Sequence, residues 1–338
     1  MSTTPVEYRK RDFYFDNVKF ILIVLVVLGH FVNIYLITPS MRAIYNVIYS
    51  FHMPLFIFIS GYFSKSVITY RKSDVMNLLI PYFLFQVYHF IFTKITGLGA
   101  GTYNLAIPTL QNWYLIALFI WRLLIPYFIF FNRKFSIIFI FVFALGIGFI
   151  PQFNIFLGLY RTFYFMPFFV LGYFAPDIKE LLLRMGKYKL PSIIFCFIIL
   201  TGIFLSSYFD TRMGQIITYA YSPREGYNSM EHYSLKTFYP FIIRILGMIS
   251  SITICWLFLF LIPAKETAYS KFGKNTFYVF LFHMFLVWPI ATPYKPLLTE
   301  LTTIVFSIII AYMLSQDAVV KILKPLIRPD ILFRKSKL

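Results

Sequence analysis

The chain has 338 residues, of which 59% are hydrophobic, 22% aromatic and 13% charged, with a mean hydropathy of +0.75. A soluble domain carries about 25% charged residues, so composition excludes a water-soluble globule and points to an integral membrane protein. The net charge of +18 sits mostly between the apolar runs, where it reads as contact with lipid headgroups and not with nucleic acid.

Ten apolar stretches of about 14–24 residues follow in chain order, most of them long enough to cross a hydrocarbon core of roughly 30 Å as a helix. They lie near 17–37, 44–63, 76–96, 112–131, 135–150, 162–175, 191–208, 239–262, 276–292 and 300–320. The sixth is short and interrupted by Pro167. The first is too long for the apolar part of a signal peptide, so no cleavable leader is expected. The segments 1–16, 64–75, 132–134, 176–190, 263–275 and 321–338 together hold 21 Lys and Arg, whereas the alternate set holds 6. The positive-inside rule places the first set in the cytoplasm.

The expected fold is therefore all-α: a polytopic transmembrane helix bundle of about ten spans with both termini cytoplasmic, lodged in the cell membrane. Residues 1–338 read as one integral domain, with a cytoplasmic tail over 1–16 and a basic tail over 321–338. Cys196 and Cys255 fall in different spans and form no CxxC pair, which fits two buried small hydrophobes. The longest external loop, 209–238, is rich in Tyr and contains Asp210, Arg212, Arg224, Glu225, Glu231 and His232. Two readings of it stay open, a cover for an external site and an ordinary solvated connection.

Ionisable groups inside a membrane segment cost free energy and mark function by default. Here they are Lys19, His30, His52, His89, Arg122, Arg244 and His283, with Asp16 and Arg161 at span ends. At 100° per residue Lys19 and His30 differ by about 20°, and Asp16 and His30 by about 40°, so one polar stripe runs along the first helix. Asp16 nevertheless lies about 21 Å below His30 and cannot orient its ring. All thirteen Asp and Glu residues lie outside the spans or at their ends, so a Ser–His–Asp triad is not available. A general base at His30 would need a hydroxyl, an amide, His52 or a carbonyl to hold its other nitrogen. Each of these histidines also has a plainer reading, as a hydrogen-bond partner between helices, and His89 fits it best. No Cys or carboxylate stands at ligand spacing from His30 and His52, so no metal is expected. Arg122 and Arg244 stay charged. Each must either face a cavity, a partner or an anion, or snorkel to the interface.

Several segments resemble the acyltransferase-3 family of integral membrane O-acyltransferases, especially its fucose-4-O-acetylase-like branch. They are Arg11-Asp…Asp16-Asn-Val-Lys19…Gly29-His30, then Phe51-His52-Met53-Pro54…Ser60-Gly61-Tyr62, with weaker echoes at Arg71-Lys72, Asn112-Trp113-Tyr114, Met166-Pro167-Phe168 and Gly273-Lys-Asn275-Thr…His283. The resemblance implies a ten-helix bundle that moves an acyl group, usually acetyl from acetyl-CoA, to a hydroxyl of a sugar or cell-envelope glycan. His30 takes the place of the family's first-helix histidine, and His52 is expected to assist it. The family's basic donor-side residues map to Arg11, Lys19, Arg71 and Lys72, which Asp16 joins on the polar stripe. Arg122 is expected to stabilise the oxyanion or to position the sugar. Direct transfer and an acyl-enzyme route both stay open.

Acyl-CoA, a sugar or glycan acceptor, membrane lipid and proteins of glycan synthesis are the implied partners. Two other classes compete: a transporter or exporter of an envelope glycan or lipid, and a sensor without chemistry. The chain shows no pair of Gly/Pro-broken helices recurring in two halves, as many transporters do.

Overall fold

The structure is a computed structural model that describes residues 12–34, 38–67, 72–99, 104–150, 156–224, 226–227, 238–292 and 299–328. Among the described residues it is helical throughout, with no strand. The helices are α1 (Phe13–Asn33), α2 (Pro39–Tyr49), α3 (His52–Phe63), α4 (Ile80–Thr96), α5 (Trp113–Phe130), α6 (Arg133–Gly146), α7 (Leu159–Phe174) and α8 (Ile178–Arg184). They continue with α9 (Lys189–Phe209), α10 (Thr211–Tyr221), α11 (Phe238–Leu259), α12 (Thr276–Phe282), α13 (Met284–Ala291), α14 (Glu300–Leu314) and α15 (Asp317–Ile327).

Six helical stretches are long and apolar enough to cross a membrane, or seven if α14 and α15 count as one bent span. Each expected stretch holds a helix among the described residues, but α6 and α7 have 14 and 16 residues, about 21 and 24 Å at 1.5 Å per residue. Length alone therefore does not establish ten crossings.

Helix α1 is the centre of the bundle. Of its apolar window 72% is buried, against 11% for the stretch Gly186–Phe209, whose leucines and phenylalanines face outward as lipid-facing side chains do. Helices α3 and α7 touch backbone to backbone. A Cβ at Gly61 would overlap the Phe169 carbonyl oxygen, and one at Gly172 would overlap that of Phe58. This reciprocal small-residue contact is the usual means of close packing where water supplies no hydrophobic drive.

One stretch expected as a continuous helix is interrupted just ahead of His52. Phe51 leaves helical geometry (φ −143°, ψ −24°) between α2 and α3, with Pro54 in the first turn that follows. Between α12 and α13 the backbone stays helical at His283 (φ −57°, ψ −34°), with the Val287 amide donating to its carbonyl at 2.9 Å. Two further expectations are corrected. The tenth stretch does not run to residue 320; the chain turns by 74° between Leu314 and Asp317, and α15 begins there. The segment 209–238 is not simply a loop, because Asp210 caps the helix α10 by accepting from the Met213 amide. That helix packs on α2, α9 and α11.

Candidate active site

Two cavities lie toward opposite ends of the bundle and share one side chain, Phe280. The first, of about 240 Å³, is lined by His30 and His52 together with Gln111, Trp113, Arg161 and Arg224. His30 sits in the last turn of α1 and is half-buried. The α2–α3 break puts His52 at the start of α3, where Nδ1 lies 2.8 Å from the Ile48 carbonyl oxygen. A carbonyl only accepts, so Nδ1–H donates and Nε2 keeps its lone pair. His283 is locked the same way, its Nδ1 donating to the Val279 carbonyl at 2.9 Å. Its buried Nε2 has no hydrogen-bond partner among the described residues, and its ring centroid lies 5.0 Å from that of His30. The ring facing His30 is thus another histidine, in a site where no carboxylate lines the described wall.

Other walls of this cavity are tied together by polar contacts. Arg224 donates to Asn33 Oδ1 at 3.2 Å, and Tyr45, stacked on Tyr49 at 3.7 Å, donates to Ser222 Oγ at 3.1 Å. The segment that follows α10 thereby closes over the end of α1.

The second cavity, of about 400 Å³, is lined by Phe56, Asn77, Tyr114, Arg122, Lys324 and Arg328, among others. Arg328 donates to Asn77 Oδ1 at 3.0 Å, which pins the end of α15 to the π-helical turn Val75–Leu79 ahead of α4. Tyr114 and Ser60 share a hydrogen bond of 2.5 Å, and the Tyr114 ring meets Phe280 edge-on at 5.3 Å. These groups form the partition between the two cavities.

The sequence-derived site residues divide between these places. His30 and His52 come together in the first cavity. Arg122 lines the second and not the first, and it is ion-paired with Asp74 at 2.6 Å, a carboxylate brought in from just before the π-helical turn. Asp16 and Lys19 pair with each other at 2.9 Å and line neither cavity. They stand at the same end as α15, because Asn17 bonds Ser270 and the adjoining Lys274 and Asn275 bond Asp317. Arg11, Arg71 and the side chain of Lys72 lie outside the described residues, as do Glu225, Glu231 and His232. His89 lines neither cavity; it stacks on Phe285 and stands behind Gln111 of the first cavity's wall, which it bonds at 3.4 Å. Arg244 does not snorkel. It is fully buried, its guanidinium 3.9 Å from the Tyr219 ring centroid and 5.2 Å from that of Tyr164, so aromatic faces take the place of an acid.

Sequence reasoning does not assign Gln111, Arg161, Arg224, Lys324 or Arg328 to a site. Arg161 is visible as a charge at a span end, and Gln111 as the neighbour of Asn112-Trp113-Tyr114. Nothing along the chain says that α10 folds back to deliver Arg224.

A family profile described as an acyltransferase domain, that of the acyltransferase-3 family, matches residues 12–316. Two relatives, each called nodulation protein NolL, are both 33% identical to the chain. The one from Mesorhizobium japonicum aligns over 193 residues, 52% of this chain and 50% of its own length. The one from Sinorhizobium fredii aligns over 201 residues, 53% of each. The chain thus spans about half the length of these curated relatives. No solved structure matches. The two histidines facing one cavity lie in the stretch that the profile covers, and the chain belongs to the acyltransferase-3 family of membrane-embedded acyltransferases.

Proposed function

We propose that the protein transfers an acyl group, acetyl in the simplest case, from acyl-CoA to a hydroxyl of a sugar or cell-envelope glycan. The observation that carries this reading is the pair of cavities meeting at Phe280, with His30 on one side and a basic rim on the other. The nucleotide end of acyl-CoA carries phosphates that cannot enter lipid. Lys324 and Arg328 offer charge-assisted bonds to them, at the end of the bundle where Lys19 stands; the resemblance assigns Arg11, Arg71 and Lys72 to the same task. We take this end as cytoplasmic in a ten-span topology, in keeping with the 21-to-6 distribution of Lys and Arg.

The pantetheine arm is slim and uncharged. It has to reach inward by about 16 Å, the Lys19–His30 rise on α1, to bring the thioester to the partition. There His30 takes the proton of the acceptor hydroxyl as its oxygen attacks the thioester carbon. His283 Nε2, as an acceptor, suits a His30 N–H donor and would leave the opposite nitrogen of His30 as the base. His52 Nε2 faces the same space and orients the acceptor. Arg122, held by Asp74, belongs in this reading to the donor's cavity.

Labelled acetyl-CoA tests the proposal. Inside-out membrane vesicles should form labelled ester on endogenous glycan, and sealed right-side-out vesicles should not. Equal labelling from both orientations would remove the cytoplasmic donor route.

A further inference from the structure

The first cavity has a charge pattern that a neutral sugar does not call for. Its charged lining consists of Arg161, from the first turn of α7, and Arg224, from the segment after α10. Among the described residues no carboxylate joins them. Arg161 makes no hydrogen bond or ion pair with the described residues; its guanidinium lies 5.6 Å from the Trp113 ring centroid. Arg224 spends one donor on Asn33, and a guanidinium has five. Two like charges line one small space, Arg224 reaching it from an exposed position, and an anion between them relieves their repulsion.

The remaining polar lining includes acceptors beside the donors Tyr49, Trp113 and Ser222. Gln111 is 2% exposed, and its Oε1 has no hydrogen-bond partner among the described residues. His52 Nε2 holds a lone pair because Nδ1 is committed to Ile48. The complementary ligand therefore carries both hydroxyl donors and a negative group. The donor's phosphates are not that group, because Lys324 and Arg328 serve the other cavity and Phe280 stands between.

We propose that the acyl acceptor is an anionic saccharide, its carboxylate or phosphate clamped by Arg161 and Arg224 and its reacting hydroxyl presented to His30. This rests on the reading that the first cavity receives the acceptor. In the transfer the hydroxyl oxygen forms the ester C–O bond and the thioester C–S bond breaks. The hydroxyl proton passes to His30 and then to the departing thiolate, and the clamped anion keeps its charge.

The test uses full-length protein in lipid nanodiscs, with glucuronate, glucose 1-phosphate and glucose as probes. Emission of Trp113, which lines the cavity, reports binding. At least one anion should bind roughly tenfold or more tightly than glucose, and which one does so distinguishes carboxylate from phosphate. Arg161→Gln/Arg224→Gln, monodisperse at wild-type yield, should bind all three alike, with Arg161→Lys/Arg224→Lys recovering part of the preference. Equal weak binding of all three by the wild type, a preference that survives the double Gln variant, or displacement of the anion by coenzyme A would overturn the proposal. Failure of the acyl-transfer reading looks different: the anion preference would remain while labelled acetyl-CoA yields no ester.

Discussion

Replacing Arg122 with Gln separates a structural cation from a chemical one. The Arg122–Asp74 pair is 2.6 Å long, with Arg122 25% and Asp74 4% exposed, and Arg122 Nε also donates to Ser64 Oγ at 3.3 Å. Removing one partner of a buried pair strands the other charge and costs about 3–5 kcal/mol. Solvent at Arg122 lowers this to about 2–4 kcal/mol. Arg122→Gln alone should therefore lose thermal stability in detergent and accumulate poorly in membranes. Adding Asp74→Asn removes the stranded carboxylate and lets two amides bond across the gap. The double variant should regain about 1–3 kcal/mol relative to the sum of the single variants, and with it most of the acyl transfer per molecule. If Arg122→Gln is as stable as the wild type, or if the double variant is stable yet inert, the structural reasoning fails and Arg122 acts on the reaction itself.

Other expectations follow from the same geometry. Lys324→Gln/Arg328→Gln should raise KM for acyl-CoA by roughly tenfold, more at low than at high salt, while kcat holds; an unchanged KM would detach α15 from the donor. Gly61→Ala and Gly172→Ala should each cost about 1–3 kcal/mol through overlap with the facing carbonyl, read as lost membrane abundance. Gly202→Ala, with nothing within 4 Å of its Cβ, should be silent. His52→Ala should lower transfer partially and His89→Ala hardly at all, measured at equal protein level; the reverse order would misplace the acceptor cavity.

The amino-acid sequence carries the helices better than their meeting points. The run from Phe20 to His30 reads as a span because it is uniformly apolar, and the period of 3.6 alone puts Lys19 and His30 on one stripe. The turn at Ser315-Gln316 is hidden because apolar residues continue on both sides, although Asp317 in the first turn of α15 is a helix-start signal. Asp74 is legible only as a residue at a span boundary; its pairing with Arg122 is a tertiary fact across 48 residues. The same holds for Arg161 and Arg224, which lie on separate segments and meet only because α10 folds back.

Acyl-ester content of the envelope glycan in cells producing His30→Gln, at membrane abundance equal to wild type, tests the central claim most directly. Gln keeps hydrogen-bonding capacity and similar bulk but cannot take up the hydroxyl proton. Loss of a general base typically lowers the rate about 10²–10⁴-fold, so esterification should fall to the level of cells lacking the protein. Near-normal esterification by His30→Gln would contradict proton abstraction at His30 and with it the proposed mechanism.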